Sequence, residues 1–228
     1  MNKILMVLCV AFLVVAVQAE NRIWTGKAGQ TIEAEYVKDA SGKVWLKPVS
    51  GKVKVVPIAA LSAADQNYIY KQTLPKIEIS VDDDIKRSTV GSDIDNVHEK
   101  IKFKIQVKKT SKAPYPVDYE IIFCALAEDI RYEELILADK KVETFSLKEK
   151  NDVYGFTGQQ LHFEHDPDPA WGTKYDGYLV CVQTVEGVVL ATKGRDKYIE
   201  SINVLRDAKV RSRFDEKFNV STRSSNRF

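Results

Sequence analysis

The chain is short of the residues from which active sites are most often built. Only three of its 228 residues are histidine, three cysteine and two methionine, which leaves little material for a centre with several imidazole or thiolate ligands. Neither sign of charge dominates: 34 lysines and arginines stand against 32 aspartates and glutamates, a formal charge of +2. Such a balance excludes the electrostatic footprint of a nucleic-acid partner. A phosphate-cradling glycine loop, a Gly-x-Ser-x-Gly elbow and a dinucleotide fingerprint are all missing. Long apolar stretches are missing too, apart from Ile4 to Val17 at the beginning.

That run has the layout of an export signal. Met1, Asn2 and Lys3 give a positive start, and Val17-Gln18-Ala19 places small residues where a signal peptidase inspects them. Fourteen apolar residues are too few to cross a hydrocarbon layer of ~30 Å comfortably as a helix. Residues 1–19 are therefore expected to be a removed signal peptide, with Glu20 starting a mature chain that has no transmembrane anchor. Cys9, inside the run, reads as apolar filler. The expected destination is the periplasm or the outside. The processed chain keeps 33 basic and 32 acidic side chains over 209 residues, a length that suits two small domains or one large one. Cys124 and Cys181 each lie in an apolar β run, YEIIFCALA and GYLVCVQTV. Two readings stand side by side: a disulfide between neighbouring strands in an oxidising compartment, or two buried free thiols.

From residue 22 onward the pattern is that of short strands. Ile32, Ala34 and Tyr36 alternate with Glu33 and Glu35, and Val44 and Leu46 alternate with Trp45 and Lys47, the period of half-buried strands. Ser41-Gly42 and Ser50-Gly51 supply turns. Val53, Val55 and Ile58 give a further strand with Pro57 at its end. Ser62, three residues before Asp65, heads a helix over Ala63 to Tyr70. The runs RIWT, IEAEYV, GKVWLKPVSGKVKVVPI and ALSAADQNYI together resemble the Sla homology domain one (SHD-one) family over residues 21–72. The resemblance implies a Src-homology-three-like barrel with a terminal helix. It also implies protein binding: short Asn-Pro-Phe-containing sorting peptides in endocytic adaptors, and cytoskeletal proteins, ubiquitin or self-association more widely. Similar copies occur in exported bacterial proteins.

A barrel of this type reads its partners with exposed aromatics, for which Trp24, Trp45 and Tyr70 are available. Trp45 is the first choice, because inward-facing Val44 and Leu46 leave its indole outward. Packing against a second domain would use the same position equally well. Trp24 and Tyr36 fall on apolar phases and read as core as well.

A short spacer at Lys71 to Lys76 leads to a second region of strands. Ile101, Phe103, Ile105 and Val107 alternate with a row of lysines, so one face is buried and the other solvated. Val117 to Ala127 reads as a fully apolar strand, with shorter ones at Arg131–Leu137, Lys141–Leu147 and Gln160–Phe163. A hairpin follows, Gly177–Thr184 and Val188–Thr192 around Val185-Glu186-Gly187. Ile199, Ile202 and Leu205 mark one helix over about 196–208. The expectation is a mainly β chain in which the barrel is followed by an antiparallel β-sandwich at 77–208 with a C-terminal helix, and a flexible tail at 209–228.

Two clusters invite chemistry. In His162-Phe163-Glu164-His165-Asp166-Pro167-Asp168, the residues His162, Glu164, His165 and Asp168 offer nitrogen and oxygen donors for a zinc-like ion; an ordinary polar loop is the plainer reading. Asp82-Asp83-Asp84 with Asp93 and Asp95 offers carboxylates for calcium, without the ligand spacing of a calcium loop. The sequence thus points to an exported non-catalytic protein that binds a protein or peptide, or another copy of itself, with no cofactor implied. The alternative is a secreted hydrolase or metal-dependent protein centred on His162 to Asp168.

Overall fold

The structure, a computed structural model, describes residues 21–89, 96–112, 115, 117–168 and 170–221. The expected signal peptide, Asp93, Asp95 and residues 222–228 lie outside them. The chain is mainly β and divides into two compact units between Ile69 and Tyr70.

The first unit is a four-stranded antiparallel sheet of β1 (Asn21–Thr25), β2 (Thr31–Ala40), β3 (Lys43–Pro48) and β4 (Lys54–Pro57), in that order. Ser41 and Gly42 both take positive φ, 49° and 74°, as a two-residue hairpin between twisted strands requires. Alternation puts Trp24, Ala34, Val44 and Leu46 in the core, where each is at most 1% exposed. Within β2 the register slips between Tyr36 and Lys38. Without that extra residue Lys38 would continue the inward phase of Ala34 and Tyr36; the bulge turns it outward, opposite Trp45.

After β4 the chain makes one 3-10 turn, Ile58–Ala60, and then helix α1, Ala63–Gln72. Lys27 donates its amide to the Ala60 carbonyl at 2.9 Å and Ser62 donates to Thr25 at 2.7 Å. The return to β1 is therefore a single bridge between Gly26 and Leu61, and among the described residues no fifth strand closes the sheet. The closed barrel expected from the sequence is replaced by an open sheet, since Pro57 and the turn end β4 before pairing can continue.

The second unit is antiparallel throughout. Its strands are β5 (Ile77–Thr89), β6 (Val97–Lys109), β7 (Tyr119–Asp129), β8 (Glu134–Phe145), β9 (Val153–Thr157), β10 (Leu161–Pro167), β11 (Ala170–Thr184), β12 (Val189–Gly194) and β13 (Arg213–Phe214). They run in the order β13-β8-β7-β11-β10-β6-β5, with β12 also on β11 and β9 also on β6. The start of β11 pairs with β10 and the rest with β7. Residues Ile101, Phe103 and Ile105 of β6 thereby share one core with Ile121 and Phe123 of β7 and Val180 of β11. The other face of β7 and β11 carries Ile122, Cys124, Leu179 and Cys181 under Tyr198, Leu205, Phe214 and Phe218. With both faces covered, β7 has to be apolar without alternation.

Three local expectations change. The strands foreseen at 131–137 and 141–147 are one strand, β8. The single helix foreseen near 196–208 is two, α2 (Asp196–Glu200) and α3 (Ile202–Asp207), broken at Ser201. The stretch from 209, expected as a flexible tail, is structured as far as 221: β13 pairs with β8, and Phe214 and Phe218 are 0% and 6% exposed. Two aromatic side chains bury enough apolar surface to hold a segment whose average composition is polar.

Candidate docking surface

In the first unit a carboxylate fixes the helix on the sheet. Asp65 donates its amide to the Ser62 hydroxyl at 3.2 Å, and that hydroxyl donates back to its carboxylate at 2.9 Å, capping α1. The same carboxylate accepts Nε and Nη2 of Arg22 at 3.1 and 2.9 Å and the amide of Thr25 at 2.7 Å. Burial alone would push the Asp65 carboxyl up; the Thr25 amide, Arg22 and Ser62 outweigh it and hold the group below the usual carboxylate range. Arg22 in turn lies 4.3 Å from the ring centroid of Tyr68. Tyr68 meets Trp24 edge-on at 5.5 Å and Tyr36 at 6.4 Å. Trp24 is 1% exposed and donates Nε1 to the Ala34 carbonyl at 2.9 Å. It is a core residue, which removes it from the docking set. Tyr36 and Tyr68 are half-buried and border it; burial and the Asp39 carboxylate, which accepts from the Tyr36 hydroxyl, push that phenol up.

The opposite face of the sheet is open to solvent. Trp45 is half-buried there, with Lys38 Nζ 5.2 Å from its ring centroid on one side and Val55, 49% exposed, in register on the other. Its outward direction follows from buried Val44 and Leu46 on either side. A lysine over an indole partly covers the ring while keeping its own ammonium hydrated. Tyr70 lies on α1 and is partly exposed. Tyr36, Tyr68 and Arg22 escaped the sequence reading as surface residues. Their only signal was the Ser62–Asp65 spacing, which says nothing about partners forty residues away.

The second cluster is taken apart by its strand. His162 and Glu164 point to the solvated face of β10 and are exposed, whereas His165 falls on the other phase. Register brings His98 opposite Glu164, with Nε2 3.6 Å from the carboxylate, and Asn96 donates to Glu164 at 3.0 Å. Asp168 is exposed and donates its amide to the buried Asp166 at 2.8 Å, a local turn. Among the described residues no three histidine, cysteine or carboxylate side chains gather as a ligand set, so the candidate donors His162, Glu164, His165 and Asp168, for which a polar loop is the plainer reading, are not brought together.

Cys124 and Cys181 are free and buried. Their strands are neighbours, but Cys124 pairs with Leu179 and Cys181 with Ile122. They are diagonal neighbours, about 7–8 Å apart, beyond the reach of a disulfide. Burial pushes both thiols up to about 12, which leaves them unreactive.

An open sheet stapled to a capped helix, with tyrosines at one border and a tryptophan on the outer face, has the form of a small protein-docking module. Residues 16–77 match the family model described as SLA1 homology domain 1, SHD1, a protein-binding module. The resemblance read from the sequence thus holds over that segment. No curated protein matches the chain significantly. A crystal structure of a protein from Akkermansia muciniphila is similar with a TM-score of 0.33 and 12% identity, over 55% of this chain and 73% of that one; a likeness so remote defines neither fold nor function. No helix among the described residues is long and apolar enough to cross a membrane.

Proposed function

We propose that the protein is an exported, non-catalytic adaptor or scaffold whose SHD1-like unit docks a protein or peptide on the sheet face around Trp45. The observation that carries this reading is the row Lys38, Trp45 and Val55 on a solvated sheet face. A large, partly exposed indole flanked by an aliphatic residue and a lysine stem is the composition of an interface hot spot. The Src-homology-three likeness enters here as mode of use: a compact sheet presents an aromatic surface and the partner supplies an extended segment. The second unit, read as a β-sandwich from its facing halves, supplies a rigid body for the module.

The test is quantitative capture from the native envelope with the parent chain and with Trp45→Ala, read by mass spectrometry. A partner retained by the parent and depleted about tenfold by the variant, as hot-spot truncation produces, supports the proposal. Equal recovery with both chains removes Trp45 from it. Sedimentation of the same pair reports whether the partner is a second copy: a parent that self-associates beside a monomeric variant assigns self-docking.

A further inference from the structure

The second unit opens a cleft of about 400 Å³ where β11 meets the end of β12, lined by Tyr175, Tyr178, Lys193 and Arg195 around the backbone of Gly177 and Gly194. The register of β11 slips between Tyr175 and Gly177. That bulge puts Tyr175 and Tyr178, three positions apart, on the same face, so that both rings pack on Phe103 with centroids 5.9 and 5.8 Å away. Gly177 and Gly194 take φ of 152° and 144°. A Cβ on Gly194 would lie 2.2 Å from the Tyr178 carbonyl oxygen, and one on Gly177 would lie 3.0 Å from Nε of Arg195. The glycines therefore let the two backbones close up and let the Arg195 side chain lie over the floor.

Charge in the cleft is unbalanced. Asp176, 8% exposed, accepts Nη1 of Arg195 at 2.5 Å and Nζ of Lys197 at 3.0 Å, and the Tyr198 hydroxyl also donates to it. Lys193 adds a third cation, which spends one donor on the Ile79 carbonyl at 3.4 Å. Asp83 lies near both tyrosines, and Glu99, which accepts the Tyr175 amide at 2.8 Å, is matched by Arg87 at 2.7 Å, so among these groups one positive charge is left over. Arg195 keeps Nε and Nη2 without a protein acceptor among the described residues. A planar guanidinium with free donors beside an ammonium matches a carboxylate, and two ring walls match a flat or apolar body.

We propose that this cleft binds a small carboxylate with a ring or short apolar chain as its body. The test titrates the full chain with benzoate, with inorganic phosphate and with sodium chloride at matched ionic strength, following the backbone amide signals of Gly177 and Gly194 by NMR. Benzoate should give saturable shifts at both glycines that sodium chloride does not reproduce. In Lys193→Ala, an exposed position whose loss should leave the melting curve unaltered, affinity should fall about tenfold, the worth of one charge-assisted hydrogen bond. Arg195→Lys, which keeps the charge and loses the fork, should fall between the two. Benzoate shifts no larger than those of salt, phosphate saturating at lower concentration than benzoate, or unchanged binding by Lys193→Ala would each overturn the assignment.

Discussion

Both units fasten a helix to a sheet with one buried aspartate, Asp65 in the first and Asp176 in the second, but they surround it with different donors. Asp65 is held by a backbone amide, a serine hydroxyl and one arginine. Asp176 is held by an arginine, a lysine and a tyrosine hydroxyl. The side chains of Arg195 and Lys197 are 53% and 48% exposed, against 36% for Arg22. Donors fixed inside the fold have nowhere to go when their acceptor is removed, whereas exposed cations regain water. One carboxylate therefore finishes a fold, and the other borders a cleft where surplus positive charge is kept beside ring walls.

The largest effect that follows is at Asp65. Asp65→Ala leaves the Thr25 amide, the Ser62 hydroxyl and the Arg22 guanidinium without their acceptor, and should cost about 3 kcal/mol. Urea unfolding followed by tryptophan fluorescence in a Trp171→Phe background, where Trp24 and Trp45 of the first unit remain, measures it. A loss below about 1 kcal/mol, the scale of a single neutral hydrogen bond, would show that the helix is held by packing of Ile69 and Leu61 alone.

At Asp176 the same change should cost less, about 2 kcal/mol, mostly from the Tyr198 hydroxyl left without its acceptor beneath the helix. Tyr198 is 0% exposed. The double variant Asp176→Ala with Tyr198→Phe removes both partners and should recover part of the loss, a coupling that a double-mutant cycle reads directly. Additive losses would mean that the two side chains do not work as a pair.

These nodes also mark where the sequence stops being legible. Period-two alternation was enough to place Val44, Leu46 and the β6 residues Ile101 to Val107 in the core, and to turn Trp45 outward, because burial of one face is a local pattern. The cap of α1 was equally local. Asp65 and Arg22, or Asp176 and Arg195, meet across turns and register shifts that leave no mark in spacing. The bulges in β2 and β11 likewise follow from which face must be apolar once the strands have paired, and so does the grouping of Tyr175 with Tyr178. Phe214 and Phe218 misled for another reason: composition averaged over a polar segment hides two large side chains that anchor it.

Acid supplies the smallest and most general separation of the two nodes. Both carboxyls are held below their ordinary range in the folded chain. For Asp176 burial pushes upward, but the bond from Tyr198 and those from Lys197, with the charges of Lys197 and Arg195, outweigh it. A carboxyl with a depressed folded pKa binds its proton more readily in the unfolded chain, so its stabilisation is complete above the unfolded value of about 3.9 and is lost as pH falls toward the folded one. The contribution of these two carboxyls should accordingly be level from neutrality to about pH 5 and decline below that. Replacing Asp65 by Asn, or Asp176 by Asn, should each flatten part of that decline. Salt sharpens the distinction: the exposed cations around Asp176 are screened, so added sodium chloride should shrink the part of the acid decline removed by Asp176→Asn more than the part removed by Asp65→Asn. Equal salt sensitivity of the two would mean that the Asp65 site, with its backbone and hydroxyl donors, is held by charge to the same degree as Asp176, and the contrast between the units would fall.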